Sequence, residues 1–171
     1  GMTYDELASL TKESVRYWLD EGSMVVPKET LDLFAALRKH SIDVYICSAS
    51  LEVIVEAMAC DPEFGLNFSE DHVFGIRLAD TQWVGGAFDP TYTPTFLEGK
   101  VACIERFMRP AHNGAAPILV SGDSGGDVAM LSTYSDALRL VYDCNRTGSI
   151  AEFISSDQPR CVVQPRTQYS K

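Results

Sequence analysis

The chain has 171 residues, 46% of them hydrophobic and 22% charged, and carries a formal net charge of −10. That length suits one domain of ordinary size whose core needs no disulfide or structural metal, and the composition is that of a folded globular protein. The acid surplus argues against a nucleic-acid surface, which rests on clustered Lys and Arg, and no apolar run approaches the roughly 20 residues of a transmembrane helix.

Met2 to Leu10 is polar and acidic, with no basic leader. Residues 3 to 20 then read as an amphipathic helix, with Leu7, Leu10, Val15, Trp18 and Leu19 at three- and four-residue steps. Thr3, with Glu6 three residues on, predicts a capping box. Pro27, Leu31, Leu33, Phe34 and Leu37 mark a second helix running to about His40. Ile42 to Cys47 is a β-branched and aromatic run that delivers Ser48-Ala49-Ser50 to its end, and a third, largely apolar helix spans Leu51 to Cys60.

Val73 to Leu78 reads as a strand, with a hairpin partner at Trp83-Val84 and Phe88 across a loop from Ala79 to Gln82. Asp89 to Thr95, rich in Pro and Thr, is a loop. Glu98-Gly99-Lys100 opens a helix whose apolar face is Val101, Ile104, Phe107 and Met108. Ile118 to Val120 is a short strand running into the cluster Ser121-Gly122-Asp123-Ser124-Gly125-Gly126-Asp127, and a helix with Val128, Met130 and Leu131 follows. A buried strand at Ala137 to Tyr142, a short helix at Ile150 to Ile154 and a short strand at Cys161-Val162-Val163 complete the order. The tail from Arg166 to Lys171 is polar and expected to be loose. Strands alternating with helices predict an α/β, Rossmann-like, mostly parallel sheet flanked by helices, with the hairpin outside it.

The five cysteines, Cys47, Cys60, Cys103, Cys144 and Cys161, are odd in number and show no zinc or disulfide-framework spacing. Buried free thiols in a reducing cytoplasm are expected. His40, His72 and His112 lack metal-ligand spacing and read as surface residues.

In an open α/β sheet, ligands bind beyond the carboxyl ends of the strands. Ser48, Lys100, Asp123 and Asp127 all fall at strand ends or helix starts. A hydroxyl and an ammonium can hold phosphate oxygens, and carboxylates in a Gly-rich loop can hold the Mg²⁺ that offsets phosphate charge. Each also has a plainer reading. Ser48 suits the cap of the helix beginning near Leu51, Lys100 suits a solvated helix face, and Asp123 and Asp127 suit a turn and a helix start. Ser124 reads as a turn or cap residue. Trp83, Tyr92 and Phe96 could line an aromatic box for a quaternary ammonium, or form a hairpin patch.

The order of these motifs resembles the haloacid dehalogenase superfamily, and within it the phosphoserine-phosphatase-like branch. Val44-Tyr45-Ile46-Cys47-Ser48-Ala49-Ser50 is similar to the family's second motif, Glu98-Gly99-Lys100-Val101 to the third and Gly122-Asp123-Ser124-Gly125-Gly126-Asp127 to the fourth. The second motif and Val163-Gln164-Pro165-Arg166 are also similar to a branch that includes phosphorylcholine phosphatases. The resemblance implies a Mg²⁺-dependent phosphatase for a small phosphorylated metabolite, working through an aspartyl-phosphate. Ser48 and Ala49 would bind the phosphoryl group and Lys100 would hold nucleophile and phosphate together. Asp123 would ligate Mg²⁺, and Asp127 would support the metal shell or Lys100.

One family element has no counterpart here. The first motif, D-x-D-x-T or D-x-D-x-V after an apolar strand, supplies the nucleophile, and no segment of the 171 residues matches it. Asp89-Pro90-Thr91-Tyr92-Thr93 lacks the second Asp. The expectation is a truncated product without the central N-terminal strand, residues 1–22 being the remnant of a helical cap and 23–171 the core. Such a chain should not turn over phosphomonoesters by itself. Exposed strand edges would favour homo-oligomers. The rival reading is a non-catalytic binding or assembly module that keeps the fold.

Overall fold

The computed structural model describes residues 1–80, 82–156 and 158–165. They form two compact units, one from Gly1 to Pro94 and one from Thr95 onward. Thr81, inside the expected 79–82 loop, and the tail from Arg166 lie outside the described residues.

The first unit opens with β1 (Met2–Thr3) and α1 (Tyr4–Asp20). The capping box forms: Thr3 Oγ1 accepts the Glu6 N–H at 3.2 Å, and Glu6 Oε2 accepts the Thr3 N–H at 2.8 Å. α2 (Lys28–Lys39) follows, with Pro27 at its N-cap, then β2 (Ile46–Leu51), α3 (Glu52–Ala59), β3 (Val73–Ile76) and β4 (Trp83–Val84). Strands β2 and β3 are parallel. Val55 and Ala59 of α3 pack with Leu66, Phe68 and Val73, and Leu31, Phe34, Val44 and Ile46 close around them.

The second unit begins with α4 (Glu98–Cys103), which passes through a π-helical turn at Ile104–Met108 into α5 (Arg109–Ala111). β5 (Leu119–Gly122), a 3-10 turn at Gly125–Asp127, α6 (Val128–Thr133), β6 (Leu138–Asp143), α7 (Ser149–Ser155) and β7 (Cys161–Pro165) complete it. β5, β6 and β7 form one parallel sheet in that order. Val120, Leu131, Val141 and Ile150 are buried here. Parallel strands flanked by helices are thus present as expected.

Four expectations need correction. β2 starts at Ile46, not Ile42, and takes Ser48-Ala49-Ser50 into the strand, because Leu51 still pairs with Ile76 across a bulge after Cys47. Among the described residues the hairpin closes at its base, where Leu78 bridges Phe88; Trp83–Val84 pairs, antiparallel, with Met2–Thr3. Of the apolar face expected on α1 only Val15 is buried, and Leu10 and Trp18 stand half exposed. Among the five free thiols, Cys103 is buried and the other four are only partly so.

Candidate active site

The Gly/Asp/Ser cluster is shaped by a close approach. An added Cβ on Gly122, the last residue of β5, would stand 2.4 Å from Asp127 Cβ and 2.6 Å from its Cγ. Only glycine lets the strand end and the Asp127 side chain share this space. Gly125 is similarly constrained, with Ser149 Oγ 2.8 Å from the place of its missing Cβ. The chain therefore turns tightly after β5 and returns Asp127 beneath the strand end, where it is almost wholly buried.

A buried carboxylate needs donors. Asp127 Oδ2 accepts the backbone N–H groups of Asp123 at 3.1 Å and Ser124 at 3.0 Å and the Ser124 hydroxyl at 2.8 Å. Ser124 thus caps the turn. Asp127 Oδ1 accepts from Lys100 Nζ at 2.6 Å. Burial alone would push the Asp127 carboxyl up; the Lys100 hydrogen bond and charge, with Ser124 and the Asp123 amide, outweigh it and hold the group below its ordinary value.

Lys100 comes from the first turn of α4, whose start is bent by Leu97 in the left-handed region at φ 50°. The Lys100 side chain is itself only 11% exposed. A long, mobile cation is thereby fixed in one place by a buried carboxylate, the arrangement that positions an ammonium for an anionic ligand.

Asp123 has a different partner. Its Oδ2 accepts from Arg146 Nε at 3.1 Å and Nη2 at 2.8 Å. Arg146 was not foreseen from the sequence; its only signal is that it follows β6, the parallel neighbour of β5, as Asp123 follows β5.

The metal expectation can be set against these donors. Asp127 has both oxygens engaged by Lys100, Ser124 and Asp123, so it does not fit as a direct cation ligand. Asp123, partly exposed and paired with Arg146, offers one hard oxygen donor. Among the described residues no three His, Cys, Asp or Glu side chains gather as a metal's ligands would.

Ser48 and Ala49 lie in the first unit, in the bulged part of β2. Ser48 Oγ accepts the Ser50 N–H at 3.2 Å. The N-cap of α3 is Leu51, without a side-chain hydrogen bond, so Ser48 is not the cap of that helix. Of the aromatic residues, Tyr92 is buried with the Arg77 guanidinium 4.2 Å from its ring centroid, while Trp83 and Phe96 are exposed. Trp83 and Tyr92 belong to the first unit and Phe96 to the second.

The model of the haloacid dehalogenase-like hydrolases matches residues 1–132. The chain belongs to that family. Within it, the chain is similar to phosphorylcholine phosphatase of Pseudomonas aeruginosa, with 28% identity over a 144-residue alignment, covering 70% of this chain and 38% of that protein. It is also similar to the crystal structure of a conserved functionally unknown protein from Anaerococcus prevotii DSM 20548, with a TM-score of 0.71 and 32% identity, covering 78% of this chain and 36% of that one. The chain thus spans well under half the length of these two proteins. The matched residues include Lys100 and the segment from Asp123 to Asp127.

Proposed function

We infer that this chain carries the cation-presenting part of a phosphomonoester hydrolase site. The single observation behind the reading is the buried Lys100–Asp127 pair, a fixed ammonium at a strand end in a family of hydrolases. In this reading Lys100 and Asp127 are the catalytic pair: Lys100 meets the oxygens of the transferring phosphoryl group, and Asp127 keeps it aimed. Ser48 and Ala49, in the first unit, keep the phosphate-binding role that the family resemblance implies.

Asp123 is the carboxylate assigned to Mg²⁺, which when bound supplies charge neutralisation for the phosphate. In the family reaction an aspartate of the D-x-D-x-T motif attacks phosphorus, the ester P–O bond breaks, the alcohol leaves, and water then releases inorganic phosphate from the aspartyl-phosphate. These 171 residues contain no such motif, so this chain by itself is expected to be inactive. The substrate class is a small phosphorylated metabolite, with phosphorylcholine the first to test given the named relative.

The test compares the chain with a version extended at its N-terminus by a D-x-D-x-T strand. Phosphate release from phosphorylcholine, phosphoserine and p-nitrophenyl phosphate is followed with Mg²⁺. Turnover by the extended chain alone is the expected result. Robust turnover by the 171 residues would overturn the assignment of the nucleophile, and silence of a folded extended chain would favour a non-catalytic binding module.

A further inference from the structure

The Lys100–Asp127 pair has a counterpart at the far end of the same two helices, which lie side by side. Lys100, near the start of α4, meets Asp127, the residue directly before α6, at 2.6 Å. Further along, in the π-helical turn that continues α4, Glu105 Oε1 accepts from the hydroxyl of Tyr134, the C-cap of α6, at 2.9 Å. The two helices therefore run in the same direction and are fastened to each other at both ends.

The far fastening is a small network built on a widened turn. There the Arg109 N–H donates to Ile104 O, one residue beyond the α-helical partner, a rare geometry that recurs at functional sites. Both Glu105 oxygens are engaged: Tyr134 donates to Oε1, and Arg109 Nη1 donates to Oε2 at 2.6 Å. Arg109 is tied in turn to Gly114 O, through Nε at 3.0 Å and Nη2 at 2.6 Å. Tyr134 is buried. Burial, together with the Glu105 carboxylate, pushes its phenol well above the ordinary value, so it stays a donor.

A single ion pair is a pivot. Held by that contact alone, α4 would be free to tilt or slide against α6, because apolar packing is not directional. A second, directional hydrogen bond at the other end removes that freedom, and with it the motion that would carry Lys100 off Asp127 Oδ1. We propose that Tyr134, through its hydrogen bond to Glu105, is a positioning residue for Lys100: it fixes the tilt of α4 and so the place where the ammonium meets the phosphoryl oxygens. The inference rests on the reading of Lys100 as the phosphate-facing cation.

Heteronuclear NMR of the lysine side-chain ammonium groups in this chain tests it, with Lys100→Met assigning the Lys100 signal. A fixed, buried ammonium exchanges its protons slowly, and the parent is expected to show such a signal. Tyr134→Phe should speed Lys100 exchange about five- to tenfold, the range that loss of one hydrogen bond supports. The amide of Val141, buried in the β5–β6–β7 sheet, should keep the parent rate. Glu105→Ala should speed Lys100 exchange at least as much, and the double variant should exchange no faster than Glu105→Ala. Parent-rate exchange of Lys100 in Tyr134→Phe, or independent effects in the double variant, overturns the role of Tyr134 and leaves Lys100 fixed by Asp127 alone. Acceleration shared equally by the Val141 amide is general loosening of the unit and overturns that role too. A parent whose Lys100 ammonium exchanges like a solvated lysine overturns the fixed ammonium and, with it, both readings.

Discussion

A methyl group at residue 122 would stand 2.4 Å from Asp127 Cβ, a separation that real Cβ atoms do not adopt. Either the strand end or the Asp127 side chain has to move, and both routes disturb the contact with Lys100. Gly122→Ala is therefore expected to destabilise the protein by about 1–3 kcal/mol, the usual cost of overpacking a tight site. The midpoint of denaturant unfolding checks this, and an unchanged midpoint would contradict the packing described. At this scale the sequence singled out Lys100, Asp123 and Asp127 but not how their contacts differ. Asp123 and Asp127 are alike in type and share a loop; burial beside Lys100 separates them. Arg146, 23 residues beyond Asp123, carried no local motif and became visible only through strand order.

Helix α3 shows what the element scale adds. Its first residue, Glu52, accepts the Gly75 N–H at 3.0 Å and pairs with Arg77, and an added Cβ on Gly75 would lie 2.4 Å from Glu52 Cα. One turn later Glu56 is partly buried on α3, and its pKa is raised from 4.5 to about 7 by burial and then by the charges of Glu52 and Glu70. Below the ordinary carboxyl pKa, Glu56 is protonated in folded and unfolded chains alike and costs nothing. As pH rises toward 7 the unfolded chain releases the proton first, so stability falls, and above 7 the loss is complete. A shift of that size on a fully buried group is worth about 3 kcal/mol; partial exposure reduces it to roughly 1 kcal/mol. Glu56→Gln should match the parent's stability at pH 4.5, exceed it at pH 8 and flatten the slope between. Identical pH profiles for the two proteins would contradict this. The element order was legible because apolar periodicity and cap residues are local: the Thr3 box and Pro27 start are examples. The pairing of Trp83–Val84 with Met2–Thr3 was not, since a two-residue strand takes its partner from whatever edge the fold brings near.

For the whole molecule, family membership and parallel α/β architecture followed from motif order, and both are present. Substrate identity was not legible, because no motif in these residues reads the group that carries the phosphate. Among the described residues no helix is long and apolar enough to cross a membrane. The chain spans 38% of one relative and 36% of the other, so activity belongs to experiments on an extended chain. The central claim is that Lys100 and Asp127 act as one unit, the carboxylate serving to aim the ammonium. A double-mutant cycle in the chain extended by a D-x-D-x-T strand tests it most directly, with kcat measured for Lys100→Met, Asp127→Asn and the pair. Each single change is expected to lower kcat by on the order of a hundredfold or more, and the double change to be no worse than the more damaging single one. Losses that multiply, or an Asp127→Asn enzyme as fast as the parent, would contradict the account.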